Sequence, residues 1–156
     1  MISCTFEHGH TANLRHVTID AVIVKDEQIL MVRRSEKLIE GGKWAIPGGY
    51  MDLDETSRET AIREVTEETG YSVADVTFFA ITDNPQRRNV PRQDIDFIYI
   101  VEVHEKIQEP DHEVSELKWF DINGLPSDAE IAFDHKNIIE FYLKHRDAEN
   151  LPLILS

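Results

Sequence analysis

The 156 residues hold 41% hydrophobic side chains, one cysteine (Cys4) and 30 acids against 16 Lys plus Arg, a net charge of −14. Such a chain can bury one core without disulfide staples, and a lone cysteine excludes a disulfide-framed secreted scaffold and points to a reducing compartment, the cytoplasm. The negative field disfavours DNA, RNA and anionic membrane as partners, and no apolar run approaches the roughly 18 residues of a membrane span.

Residues 1–14 read as a flexible N-terminal arm and residues 15–156 as one domain, since no repeat, linker or composition break divides them. Cys4, His8 and His10 lie in that arm at irregular spacing, too few and too uneven for a structural zinc site. His16 to Val24 is rich in β-branched residues and reads as a strand, Asp26-Glu27 as a turn, and Gln28 to Arg34 as its hairpin partner. Leu38 to Lys43 reads as loop, and Trp44 to Ile46 as a short strand stopped by Pro47-Gly48-Gly49. Thr56 to Thr69 has neither Gly nor Pro and ends at Gly70, which predicts a helix. Val73 to Thr82, Ile95 to Val103 and Leu117 to Phe120 read as strands. Asp134 to His145 carries Ile138, Ile139, Phe141, Tyr142 and Leu143, a helical core stripe behind an acidic N-cap. The order of strands, helix, strands, helix predicts an α/β fold: a mixed sheet with helices on both faces.

Around the first helix, at about 100° per residue, Glu67 and Glu68 fall within about 60° on either side of Glu64. Ala61, Ile62 and Val65 take a neighbouring face suited to docking on the sheet. Like charges at three- and four-residue spacing destabilise an isolated helix by about 0.2–0.5 kcal/mol per pair, and Arg63 is the one cation close by. Two readings fit: a solvated acidic face, or a site for a hard cation. Mg²⁺ or Mn²⁺ takes oxygen ligands, keeps several waters and so leaves places for substrate phosphates.

The context of the helix decides between them. Gly49, five residues, Glu55, seven residues, then Arg63-Glu64-Val65-Thr66-Glu67-Glu68-Thr69-Gly70-Tyr71 resembles the box of the Nudix hydrolases in spacing and in every fixed residue. Tyr71 departs slightly from the aliphatic residue usual at the last position. The resemblance implies a Nudix-type α/β/α sandwich and hydrolysis of a nucleoside diphosphate linked to another moiety, with Mg²⁺ as cofactor and Mn²⁺ as a substitute. It implies Glu67 and Glu68 as metal ligands, helped by a carbonyl of Gly48 or Gly49, with Glu64 as ligand or as the base that activates water. Arg63 would hold the glutamates, and Glu55 would act at the helix start or outside the ligand set. A further ligand is expected from a later loop holding Glu109, Asp111, Glu113 and Glu116; Glu113, six residues before Trp119, matches best. Each of these four reads equally well as a solvated loop acid.

For the substrate, Asn84 to Gln93 carries Arg87, Arg88 and Arg92 and no acid. It reads as a solubilising loop or as a set of guanidinium forks for phosphate and ribose oxygens. Arg33 and Arg34 are rivals for that role, and strand alternation lets only one of them face the site. Pro85, fifteen residues past Gly70, resembles a proline of the ADP-ribose-cleaving members, although Asn-Pro also favours turns by itself. Phe133-Asp134-His135 resembles a segment near the base pocket of several relatives, so His135 or Phe133 is a candidate purine contact. Trp44 reads as core. ADP-ribose or another ADP-linked compound is the expected substrate, with an oxidised or normal nucleoside triphosphate as the alternative. Many relatives are dimers, so a homodimer is an option. A non-catalytic nucleotide-sensing module is the reading from another class, and the intact glutamates argue against it.

Overall fold

The computed structural model describes residues 2–86 and 93–155. In chain order the elements are β1 (Ile2–Thr5), β2 (Thr11–Leu14), β3 (His16–Val22), β4 (Val24–Lys25), β5 (Gln28–Arg34), β6 (Trp44–Ala45), β7 (Gly48–Tyr50), α1 (Ser57–Thr69), β8 (Tyr71–Thr82), β9 (Asp94–Lys106), β10 (Val114–Asp121), α2 (His135–His145) and β11 (Leu153–Leu155).

The turn chemistry explains the first hairpin of the domain. Asp26 and Glu27 both adopt left-handed φ, 51° and 56°, and Val24 pairs with Ile29 across them. A two-residue turn of that hand matches the twist of its flanking strands. Helix α1 begins at Thr56, whose hydroxyl accepts from the Glu59 amide, while the Glu59 carboxylate accepts in return from the Thr56 amide at 2.8 Å. This reciprocal pair satisfies two amides the helix itself leaves open. At the other end Gly70 takes φ 75° and donates to the Thr66 carbonyl, which closes the helix.

The sheet is mixed, as expected, with antiparallel and parallel pairs, and apart from β1 and β2 the strands form two sheets. The first has the order β11-β8-β9-β3-β7, in which β3 runs parallel to β9 and β11 parallel to β8. The second is antiparallel, with β10, β5 and β4 in order and β6 also on β5. The split follows from the chain at Ile23, between the end of β3 at Val22 and the start of β4, which turns tightly onto β5.

Alternation along the strands sorts the core into two layers. Ile19, Ala21 and Ile23 pack with Ala61 and Val65 of α1, whereas Val22 packs with Ile138, Ile139 and Tyr142 of α2. The helices therefore flank the mixed sheet, as the order of elements predicts. Trp44 packs against the α2 layer edge-on to Phe120, at 4.8 Å between centroids, so it is core as expected.

Within residues 1–14, expected to be a loose arm, β1 and β2 pair as a hairpin, with Ile2 opposite Leu14 and Thr5 opposite Thr11. Three local expectations are corrected. Gly48-Gly49, read as a strand stop, begins the edge strand β7 against β3, because Pro47 can precede an edge without breaking a ladder. Ile62 is exposed, and Glu68 takes a buried place beside Thr69, so the docking and acidic faces of α1 overlap. Asp134 holds the N-cap position of α2 through its carbonyl, which accepts from Asn137 at 2.8 Å, but its carboxylate makes no cap hydrogen bond. β11, which tucks beside β8, has no counterpart among the expected strands.

Candidate active site

Three strands of the first sheet, β3, β7 and β9, and the acidic helix meet at a cavity of about 450 Å³. β7 brings Gly48 and Gly49 against α1. The Gly48 amide donates to Glu68 Oε2 at 2.9 Å, and a β-carbon on Gly49 would lie 2.6 Å from the Glu64 carboxylate carbon. Only a glycine leaves room for Glu64 there. On Gly48 a β-carbon would run into the Ile19 carbonyl of the neighbouring strand, so both positions need a bare backbone.

Arg63 organises the carboxylates. Its Nε and one Nη grip Glu55 at 2.7 and 3.0 Å, the other Nη reaches Glu64 at 2.8 Å and Glu67 at 3.2 Å, and a further N–H donates to the Tyr50 carbonyl at 3.0 Å. Those five contacts use the five N–H groups a guanidinium owns. Arg63 is thereby held firmly charged, its proton affinity raised first by the bond to Glu55. Glu55 also accepts from Thr60 at 2.9 Å and from the Asp52 amide at 3.3 Å. Led by the Arg63 bond, this environment lowers the Glu55 pKa to about 2.

Glu64 and Glu68 are in the opposite condition. Burial is the first cause that raises each carboxyl's proton affinity, and the Gly48 amide opposes it at Glu68. Glu68 is only 5% exposed. Glu67 is half exposed. Among the described residues no three His, Cys, Asp or Glu groups converge into a ready-made metal cage, since Arg63 spans Glu64 and Glu67. Buried, mutually repelling carboxylates without full compensation still fit a hard cation. Mg²⁺ characteristically takes one or two carboxylates, waters and substrate phosphates rather than an all-protein cage.

Of the four loop acids, Glu113 lines the cavity, as the match to Trp119 suggests, and Asp111 does too. The Asp111 carboxylate accepts from the Glu113 amide at 2.8 Å, which shapes the turn that presents both. Glu109 instead pairs with Lys106 and Glu116 with Arg33 on the surface. The rivalry of the two arginines resolves as alternation predicts. Arg34 lines the cavity with its guanidinium 5.0 Å over the Phe133 ring, while Arg33 stays outside. His135 is also at the cavity, where its Nδ1 accepts from the Ile46 amide at 3.1 Å and its Nε2 faces Asp20 Oδ1 at 3.6 Å. Arg87, Arg88 and Arg92 lie outside the described residues.

Sequence reasoning missed Thr18, Asp20 and Asp94, all on the cavity wall. A signal was present: an acid inside HVTIDAVIV, and alternating acids in DIDF, have no place on a fully apolar sheet face. In all, eight carboxylates and two arginines line the cavity among the described residues.

A mixed-sheet sandwich that aims a glutamate-rich helix at a glycine-rich edge strand defines a class of phosphoric-anhydride hydrolases. The NUDIX domain matches residues 14–142, and the chain belongs to the Nudix hydrolase family. It is 32% identical over 132 residues to an ADP-ribose pyrophosphatase of Methanocaldococcus jannaschii, covering 84% of this chain and 75% of that protein. Among solved structures, the NUDIX domain of Shewanella oneidensis NrtR complexed with ADP ribose superposes with a TM-score of 0.71 at 26% identity, covering 86% of this chain and 90% of that one. A NUDIX hydrolase from Nitrosomonas europaea shares the fold at a TM-score of 0.74 and 19% identity, over 99% of this chain and 93% of that one. No helix among the described residues is long and apolar enough to cross a membrane.

Proposed function

We propose that this protein is a Mg²⁺-dependent pyrophosphohydrolase that cleaves ADP-ribose, or a closely related ADP-linked compound, to a nucleoside monophosphate and a second phosphorylated product. The observation that carries the metal requirement is the cavity's surplus of carboxylates, which a pyrophosphate meets only across a bridging cation. The choice of ADP-ribose rests on the Methanocaldococcus jannaschii relative.

Glu67 and Glu68 would hold the cation, with Glu64, Glu113 and a carbonyl of Gly48 or Gly49 as the further oxygen donors. When bound, the cation offsets charge on the phosphates and lowers the pKa of a water it holds. Glu64 orients the attacking water and takes its proton, a role suited to a carboxylate whose proton affinity burial has raised. Arg63 touches no substrate, because all its N–H groups are engaged; it is a positioning residue that holds Glu55, Glu64 and Glu67 in register. Arg34 binds phosphate or ribose oxygens, a role the sequence also suggests for Arg87, Arg88 and Arg92, and His135 lies beside the nucleoside. The small nucleotide is the partner, and a homodimer is compatible with these roles.

The purified protein, incubated with ADP-ribose, nucleoside diphosphate sugars and nucleoside triphosphates in Mg²⁺ or in EDTA, is expected to release AMP and ribose 5-phosphate from ADP-ribose only with the metal. Preferred turnover of a triphosphate moves the substrate assignment. Tight nucleotide binding without cleavage under any metal replaces the hydrolase with a sensor.

A further inference from the structure

The face of the first sheet that meets α2 changes character along its length. Beneath the helix it is apolar, with Val22, Ala80 and Ile98. Further along the same strands the register places Thr18 opposite Asp96, and Asp96 opposite Thr82, while Asp94 stands one pair beyond. Paired residues share a face. Carboxylates buried on a sheet destabilise the fold unless hydrogen bonds or a ligand satisfy them.

Asp96 accepts from the Thr18 hydroxyl at 3.0 Å, and Asp20 faces His135. Asp94 differs. It is 6% exposed, it lines the cavity, and its Oδ1 has no hydrogen-bond partner among the described residues. His135 adds a second directed group. The Ile46 amide occupies Nδ1, so the neutral ring carries its proton on Nε2, toward Asp20. A buried acceptor of negative charge repels phosphate and calls for a neutral donor.

We propose that Asp94 is a specificity-determining residue whose carboxylate accepts a hydrogen bond from a sugar hydroxyl or an exocyclic amine of the substrate, on the wall shared with Thr18, Asp20 and His135. This rests on the reading of the cavity as a nucleotide pyrophosphohydrolase site. The two arms of the wall's chemistry are complementary: the anhydride goes to the glutamates of α1 with their cation, and the uncharged end of the same molecule goes to Asp94. Asp94 thus selects substrates by the donor they present, and leaves the reacting phosphorus untouched.

Kinetics and calorimetry test this on the full chain. In Asp94→Asn and Asp94→Ala, KM for ADP-ribose rises about tenfold or more, since a hydrogen bond to a charged group is lost, while kcat and the Mg²⁺ activation curve change little. Calorimetry with AMP and with ribose 5-phosphate separates the sources of the donor: the half that Asp94 holds loses about tenfold in affinity in the variants, and the other half does not. On the wild type alone, IMP or 2′-deoxy-AMP must bind more weakly than AMP, or 2-deoxyribose 5-phosphate more weakly than ribose 5-phosphate, so the test survives a variant that fails to fold. Folded variants with wild-type KM and both wild-type affinities overturn the assignment, as does equal binding of each analogue pair by the wild type. Absence of ADP-ribose cleavage by the wild type overturns the substrate reading instead, and the calorimetric arms then decide Asp94 by themselves.

Discussion

Arg63 carries more of the site's geometry than any other single side chain. Its planar fork meets Glu55 through two nitrogens while it reaches Glu64, Glu67 and the Tyr50 carbonyl with the rest. A lysine brings the same charge with three rotatable donors and no fork. Arg63→Lys is therefore expected to lower kcat by roughly tenfold to a hundredfold while a melting curve shifts little, a range typical of a misplaced catalytic group. Near-wild-type kcat would remove Arg63 from the positioning role. Glu55 gives a pH signature. Its folded pKa of about 2 lies below its ordinary 4.5, so its contribution to stability is complete above that ordinary value and disappears as pH falls toward 2. The melting-temperature gap between wild type and Glu55→Gln should be widest near neutrality and close between pH 4.5 and about 2. A gap that stays constant across that interval refutes the account.

Among the elements, α1 serves two ends that conflict. It must dock, which it does through Ala61 and Val65, and it must present acids, one of which, Glu68, is drawn into the docked face. Local signals compensate at both ends. Thr56→Ala removes the capping box and should destabilise the protein by about 1 kcal/mol in denaturant unfolding, with turnover almost unchanged at a temperature where both proteins are folded. No loss of stability would mean that tertiary packing alone holds the helix. The length and ends of α1 were legible in the sequence because caps act within a few residues. Its burial was not: helical geometry places Ile62 and Glu68 on adjoining faces, and only the position of β7 decides that Glu68 goes inside. The β1–β2 hairpin escaped notice for a related reason. Its strands are mostly exposed, so they lack the alternation that marks a strand packed on a core.

At the scale of the whole molecule, part of the negative charge is placed where it works against the fold, at the buried Asp20, Glu68, Asp94 and Asp96. Burial raises the proton affinity of Glu68, so without metal the ionised protein holds an unfavourable charge that protonation, as pH falls, would relieve. Mg²⁺ should raise the melting temperature of the wild type by mass action, by an amount equivalent to about 2.7 kcal/mol at a hundred times its Kd. In Glu68→Gln, whose amide oxygen can still accept from Gly48, the metal-free melting temperature at pH 8 should be higher than wild type, and the Mg²⁺ shift smaller. An unchanged Mg²⁺ shift in that variant would take Glu68 out of the ligand set.

The reaction class was legible in the sequence through the resemblance of Gly49 to Gly70 to the Nudix box, and within that stretch helical geometry alone keeps Arg63, Glu64, Glu67 and Glu68 within about a turn of one another. Strand alternation lets only one of Arg33 and Arg34 face the site once Gln28 to Arg34 is read as a strand, and the tertiary structure puts Arg34 there. Which distant residues join them was decided only by the tertiary structure. Asp20, Asp94, Asp111 and His135 come from separate elements, and their meeting depends on β3 lying between β9 and β7 and on α2 starting over that end of the sheet. Pairing between strands far apart in the chain is set by the packing of the whole core, which no short window of residues contains.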